Sequence, residues 1–131
     1  MRLAILPARI ENLSWREKLN ILTILKMIAA VATFATGVLA FVKPSAAYGF
    51  TGLNANGARG VSEIRAVFGG LFIGLGFAPF ILGPTAYTML GIGYLAIAAA
   101  RTFSILFDKS FAQSNIISLG IEIVLGVILV W

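Results

Sequence analysis

The sequence predicts an all-α integral membrane protein, an antiparallel bundle of four spanning helices. Three observations carry that expectation. Hydrophobic residues make up 60% of the 131-residue chain and its mean hydropathy is +0.98. Charged residues are only 11%, against about 25% in an average soluble domain. Four apolar stretches, each near the roughly 20 residues that cross a bilayer, are separated by polar breaks. A soluble domain this short buries only about two-thirds of the surface its unfolded chain exposes. That is too little to hide so much apolar area. A disordered chain would be polar and charged. A transmembrane β-barrel would alternate apolar and polar residues, and these stretches do not.

The elements follow in order. Residues 1–18 read as a basic amphipathic extension and residues 19–131 as one four-span membrane domain, with spans at about 15–43, 62–82, 86–107 and 111–131. Ser14-Trp15-Arg16-Glu17 has the form of a capping box, which starts the first helix near Trp15. Trp15 then belongs to the interfacial aromatic belt, and Lys26 snorkels toward the headgroups. Pro44 ends the helix, because a residue before proline avoids the helical region. Ser45-Ala46-Ala47 resembles a signal cleavage site, but the apolar stretch before it is too long for a signal peptide, so it reads as a membrane helix.

Residues 44–61 are the only long polar connection. Asn56-Gly57 is a turn signal, and Tyr48 and Phe50 suggest that this loop lies on the bilayer. Pro79 sits in the last turns of the second span, and Gly83-Pro84 turns the chain into the third. Asp108-Lys109-Ser110 is the next break. Ser110-Phe111-Ala112-Gln113 again has the capping-box form and opens the fourth span.

Charge narrows the partners. The chain carries ten Lys/Arg against five Asp/Glu, a formal +5. Arg2, Arg9, Arg16 and Lys18 all precede the first long apolar run. Cations beside an apolar segment attract anionic lipid, at about 1 kcal/mol each. No basic soluble domain is present to bind nucleic acid. Both termini lie on one side in a four-span topology, and the reading places them on the cytoplasmic side of a bacterial inner-type membrane, against Lys43, Arg59, Arg65 and Lys109 on the other.

The chain has no cysteine and no histidine. Disulfides, thiol chemistry and Cys- or His-based metal and nucleophile sites are therefore excluded. No cofactor, metal or catalytic residue is expected.

Two features remain as candidate sites. Ala66, Gly70, Gly74 and Ala78 recur every fourth residue, a small-residue stripe that lets two membrane helices approach closely. Ser118, Glu122 and Gly126, and likewise Ala96, Ala100 and Ser104, repeat that spacing. The alternative is a stripe left open for a lipid, pigment or quinone. The second feature is a set of charges, Glu63, Arg65, Arg101, Asp108 and Glu122, all in one leaflet or at its surface. Counted from the turn near Lys109 at 1.5 Å per residue, Arg101 lies about 13 Å deep and Glu122 about 19 Å deep. A charge at the bilayer centre costs about 2.5–3.5 kcal/mol on insertion scales. Each should therefore face the interior and find a partner: Arg101 with Glu122, and Arg65 with Glu63 or Asp108. Such a set is either a structural ion-pair network or a polar pocket.

Ser62-Glu63-Ile64-Arg65-Ala66 with Gly69-Gly70, then Arg101-Thr102-Phe103-Ser104 with Asp108, then Glu122 in the last span, resembles a family of small four-helix bacterial membrane proteins of unknown function. Its pattern runs S-E-x-R-A-x-x-G-G, R-x-x-S-x-x-x-D and a membrane glutamate. The glycine common after that aspartate is Lys109 here. The resemblance covers about residues 20–131 and implies the four-helix fold without implying an activity. Leu6, Ile10 and Leu13 of the extension lie outside it and suit a membrane surface or a partner subunit.

These readings lead to a non-catalytic accessory subunit of a larger membrane assembly, such as a photosynthetic or respiratory complex, with membrane lipids and other membrane subunits as partners. The alternative is a small carrier or a lipid- or quinone-binding protein built on Arg101 and Glu122.

Overall fold

A computed structural model describes the backbone of residues 5–131 and the side chains of residues 21–131. The capping box at Ser14, the interfacial Trp15 and the apolar and basic side chains of the extension lie outside the described side chains.

The long apolar stretches of the described residues are helical. Helix α1 spans Ile5–Val42, and a single 3-10 turn, Pro44–Ala46, leads into the short helix α2, Ala47–Thr51. Helix α3, Gly57–Glu63, continues through a wide π-helical segment, Ile64–Leu71, into α4, Phe72–Leu82. Helices α5, Pro84–Phe107, and α6, Gln113–Val130, complete the order. Four helical segments are long and apolar enough to cross a membrane: Ile21–Val42, Gly57–Leu82, Pro84–Phe107 and Gln113–Val130. Among the described residues there is no strand.

Three boundaries differ from the sequence expectation. Helix α1 is already formed at Ile5 rather than starting near Trp15. The second span starts at Gly57 rather than Ser62, entered from the extended Asn56. Helix α6 starts at Gln113 without the expected box, since Ala112 is the extended N-cap and no side chain caps it. Ser110 is engaged elsewhere: the Asn115 amide donates to its hydroxyl at 2.9 Å and to its carbonyl at 3.1 Å.

The connection after α1 is more ordered than a polar loop. The Thr51 hydroxyl donates to the Ala47 carbonyl at 2.7 Å, and the Leu53 N–H donates to the same hydroxyl at 3.0 Å. Gly52 then leaves the helix at φ 71°, a left-handed conformation in which glycine meets no Cβ penalty.

The helices pack as two pairs, α1 with the π segment and α4, and α5 with α6, joined where α4 meets α5. A Cβ on Gly76 would lie 2.4 Å from the Phe34 nitrogen and 2.8 Å from the Ala30 carbonyl. One on Gly69 would lie 3.0 Å from Phe41 Cα. The two backbones of the first pair are therefore in direct contact, which only glycine allows. Gly91 is pressed in the same way against Leu129 and Val130, and Gly126 against Leu95. A small core of Ala29, Ala30, Leu90 and Leu129, flanked by Tyr87, Tyr94 and Leu125, joins the pairs on the side of the Gly83–Pro84 turn.

The expected stripe does not make these contacts. Ala66 and Gly70 are exposed, Ala78 is half-buried, and a Cβ on Gly74 would meet nothing within 4 Å. The π turn is the physical reason. Its i→i+5 geometry puts Ile64 and Gly69 on one buried face, so a stripe counted in fours drifts off it. Of the other two stripes, Ala96 and Ala100 are exposed, whereas Glu122 and Gly126 are buried.

Candidate functional site

Away from that core, on the side of the Lys109 turn, the two helix pairs part around a cavity of about 410 Å³. Its walls come from all four spans and from α2: Thr36 and Leu39 of α1, Phe50 and Thr51 of α2, Phe68 of the π segment, Phe72 of α4, Tyr94 and Arg101 of α5, and Ser118 and Glu122 of α6. Phe50 is thus part of this wall rather than only a residue lying on the bilayer. The π segment overlaps the Ser62–Gly70 motif from Ile64 onward, and it turns Phe68 toward the cavity while Gly69 stays against α1.

Arg101 and Glu122 meet at one end. Arg101 Nε donates to Glu122 Oε1 at 3.0 Å and to Oε2 at 2.9 Å, and Nη2 donates to Oε1 at 2.6 Å. Nη1 donates to the Asn115 side-chain oxygen at 2.7 Å. Asn115 in turn donates to Ser110, so one chain of polar contacts runs from the buried carboxylate to the turn at the membrane surface. Only 10% of the Glu122 side chain is exposed, against 26% of Arg101. Side-on engagement of a carboxylate by a guanidinium is among the strongest polar contacts a protein makes. It also leaves donors over. A guanidinium carries five N–H groups; Nε, one on Nη2 and one on Nη1 are used, and two remain.

Above the ion pair, Tyr94 OH and Thr33 Oγ1 are 2.7 Å apart. Thr33 gives its own proton to the Ala29 carbonyl at 2.8 Å, so Tyr94 is the donor between them. Arg101 also separates the cavity from a smaller cleft of about 300 Å³ lined by Ile97, Ala100, Ser104 and Asn115.

The other charges do not join this group. Arg65 pairs with neither Glu63 nor Asp108; its Nε donates to the Phe41 carbonyl at 3.1 Å. Phe41 lies in the last turn of α1, where carbonyls lack intrahelical partners and carry the negative end of the helix dipole, so a cation is well placed there. Asp108 accepts a hydrogen bond from Ser104 at 2.5 Å, one turn back along α5. Glu63 is exposed. Among the described residues, Arg101–Glu122 is the one ion pair and no cluster of metal-ligating side chains occurs.

Sequence reasoning missed Asn115. A single asparagine near the start of an apolar stretch has no periodic partner to flag it. Its distance from Arg101, 14 positions along a helical hairpin, was the available signal.

Fold and site together define a small four-span helical membrane protein with a polar-ended cavity between two helix pairs. The chain belongs to the family described as Domain of unknown function (DUF4345), whose model matches residues 21–131. No curated protein and no solved structure matches it.

Proposed function

We propose that this chain is a non-catalytic membrane protein that holds a small amphiphile between its helix pairs. One observation carries the reading: the cavity pairs an aromatic wall, Phe50, Phe68 and Phe72, with a charged end, Arg101 and Glu122, that keeps two N–H donors over. Its volume of about 410 Å³ falls in the roughly 300–1,000 Å³ range of small-molecule pockets, which are mostly apolar with a few placed polar groups. The non-catalytic reading is supported by Glu122, the carboxylate on the wall, having both oxygens engaged by Arg101.

The test is native mass spectrometry of the chain extracted in mild detergent. A retained small-molecule mass supports the reading, as does its loss in Thr36→Trp, which fills the cavity. Thr36 suits this purpose because its hydroxyl bonds only the Ala32 carbonyl of its own helix, at 2.9 Å. A wild-type protein with no retained mass and no saturable amphiphile binding overturns it.

A second reading, an accessory subunit of a larger membrane assembly, is favoured by the length of α1. Its 38 residues include 16, Ile5 to Asn20, before the spanning segment Ile21–Val42. These add about 24 Å of helix at 1.5 Å per residue, a surface that a partner subunit could cover. In this reading both termini face the cytoplasm of a bacterial cell, and the basic sequence of the extension favours anionic lipid. Purification of the chain in mild detergent without any co-purifying subunit sinks it.

A further inference from the structure

We infer that the cavity takes an uncharged amphiphile whose head presents a carbonyl oxygen, in preference to one with an anionic headgroup. The inference rests on the cavity-binding reading above and adds the class of ligand.

Charge balance is the first argument. The wall draws on α1, α2, the π segment, α4, α5 and α6, and its titratable side chains are Tyr94, Arg101 and Glu122. The guanidinium and the carboxylate already neutralise each other. An anionic head would add an unbalanced negative charge beside Glu122 within the span, where an unpaired charge is costly. A cationic head would add an unbalanced positive charge. A neutral head adds neither.

The inventory of free donors is the second. The Thr36 hydroxyl proton goes to the Ala32 carbonyl, that of Thr51 to the Ala47 carbonyl and that of Tyr94 to Thr33. These three oxygens offer only lone pairs to a ligand. What remains to donate on the wall is Arg101, with two uncommitted N–H groups, and the hydroxyl of Ser118, which makes no hydrogen bond among the described residues. Arg101 and Ser118 stand on α5 and α6 at the same end of the cavity. A donor-rich end selects an acceptor, and a neutral carbonyl is the acceptor that leaves the charge balance intact. Across from them, Phe50, Phe68, Phe72 and Leu39 suit a ring or an acyl chain.

A carbonyl on an apolar body is the shared chemistry of a quinone and of a neutral glyceride. The experiment separates these sources and also separates both from anions. The full chain in detergent micelles is titrated with a decyl-substituted benzoquinone, dioctanoylglycerol, decanoate and dioctanoyl phosphatidate. At least one neutral probe should bind saturably and at least tenfold tighter than the anion of matching chain. Preference for the benzoquinone points to a quinone ligand, and preference for the glyceride to a lipid. Arg101→Lys should weaken that binding tenfold or more, and the milder Ser118→Ala several-fold. Tighter binding of an anion than of both neutral probes overturns the inference while leaving the cavity reading intact. Failure of both neutral probes to bind the folded protein also overturns it, whatever co-purifies. So does neutral-probe binding that is unchanged in Ser118→Ala and in Arg101→Lys.

Discussion

At the end of the bundle that carries the Gly83–Pro84 turn, the two helix pairs close on each other around a small core; at the end that carries Lys109, where α1 and the π segment still touch at Phe41 and Gly69, side chains hold the two pairs apart. The first end is built from Ala29, Ala30, Gly76, Gly91 and Leu129, where small residues or none at all set the spacing. The second is built from Arg101, Glu122 and Asn115 on one side and from Phe50, Phe68 and Phe72 on the other. In a bilayer, apolar surface alone does not drive helices together, because lipid tails are as apolar as leucine. Close packing within each pair and around the shared core therefore supplies the association, and the ion pair keeps α5 and α6 in register beside an open space. The difference separates what holds the bundle from what the bundle holds.

The largest expected effect tests the charged end. Glu122→Leu leaves the Arg101 guanidinium without its counter-ion, and losing one member of a buried pair typically costs about 3–5 kcal/mol. Arg101→Leu should cost a comparable amount, since it leaves Glu122, the more buried partner, without its counter-ion. The double substitution should recover most of the loss. A thermal-melt double-mutant cycle in detergent measures this, and strictly additive single effects would show that the pair does not hold α5 to α6.

The tight end answers to a smaller change. In Gly76→Ala the new Cβ meets the backbone of Phe34 and Ala30, neither of which is a flexible side chain that could turn away. Overpacking of this kind costs about 1–3 kcal/mol, and Gly76 should fall at the upper end. A melting temperature within a degree of wild type would mean that α1 and α4 do not approach as described.

Much of this architecture was legible in the sequence, and the misses have physical causes. Span number follows from length and hydropathy, which do not depend on packing detail. The meeting of Arg101 and Glu122 follows from counting 1.5 Å per residue out of a short hairpin, because two antiparallel helices keep one axial scale. The π segment was not legible: one turn with a different period leaves no mark in composition, yet it moves Gly69 onto the packing face and Gly70 off it. Arg65 was assigned a carboxylate because sequence shows charges, whereas its partner is the Phe41 backbone carbonyl, which every residue carries. Ser110 matched a capping box by residue type, but Asn115 competes for the same hydroxyl.

A smaller effect is expected at the turn closing the cavity end. Lys109 has φ 55°, the left-handed region, where a side chain costs about 1–2 kcal/mol. Lys109→Gly removes that cost and adds backbone entropy to the unfolded chain, about 0.5–1 kcal/mol in the opposite direction. The net should be a gain of about 0.5–1 kcal/mol, read as a modest rise in melting temperature. A fall would show that the lysine side chain contributes more to this turn than its backbone strain removes.

The smallest effect is the sharpest on the difference between glycines. Gly74 lies in the same helix as Gly76, two positions away, and in a stripe that by spacing alone belongs to a helix–helix seam. A Cβ there meets nothing within 4 Å. Gly74→Ala therefore gains helix propensity, up to about 1 kcal/mol in water, and gives up no contact. It should leave melting unchanged or raise it slightly, while Gly76→Ala lowers it. The two variants add the same single methyl group to the same helix, so any difference between them comes from what each Cβ faces. Equal losses at both positions would mean that the second span is rotated, with the stripe of Ala66, Gly70, Gly74 and Ala78 against α1, and the cavity wall formed by Phe68 and Phe72 would have to be redrawn with it.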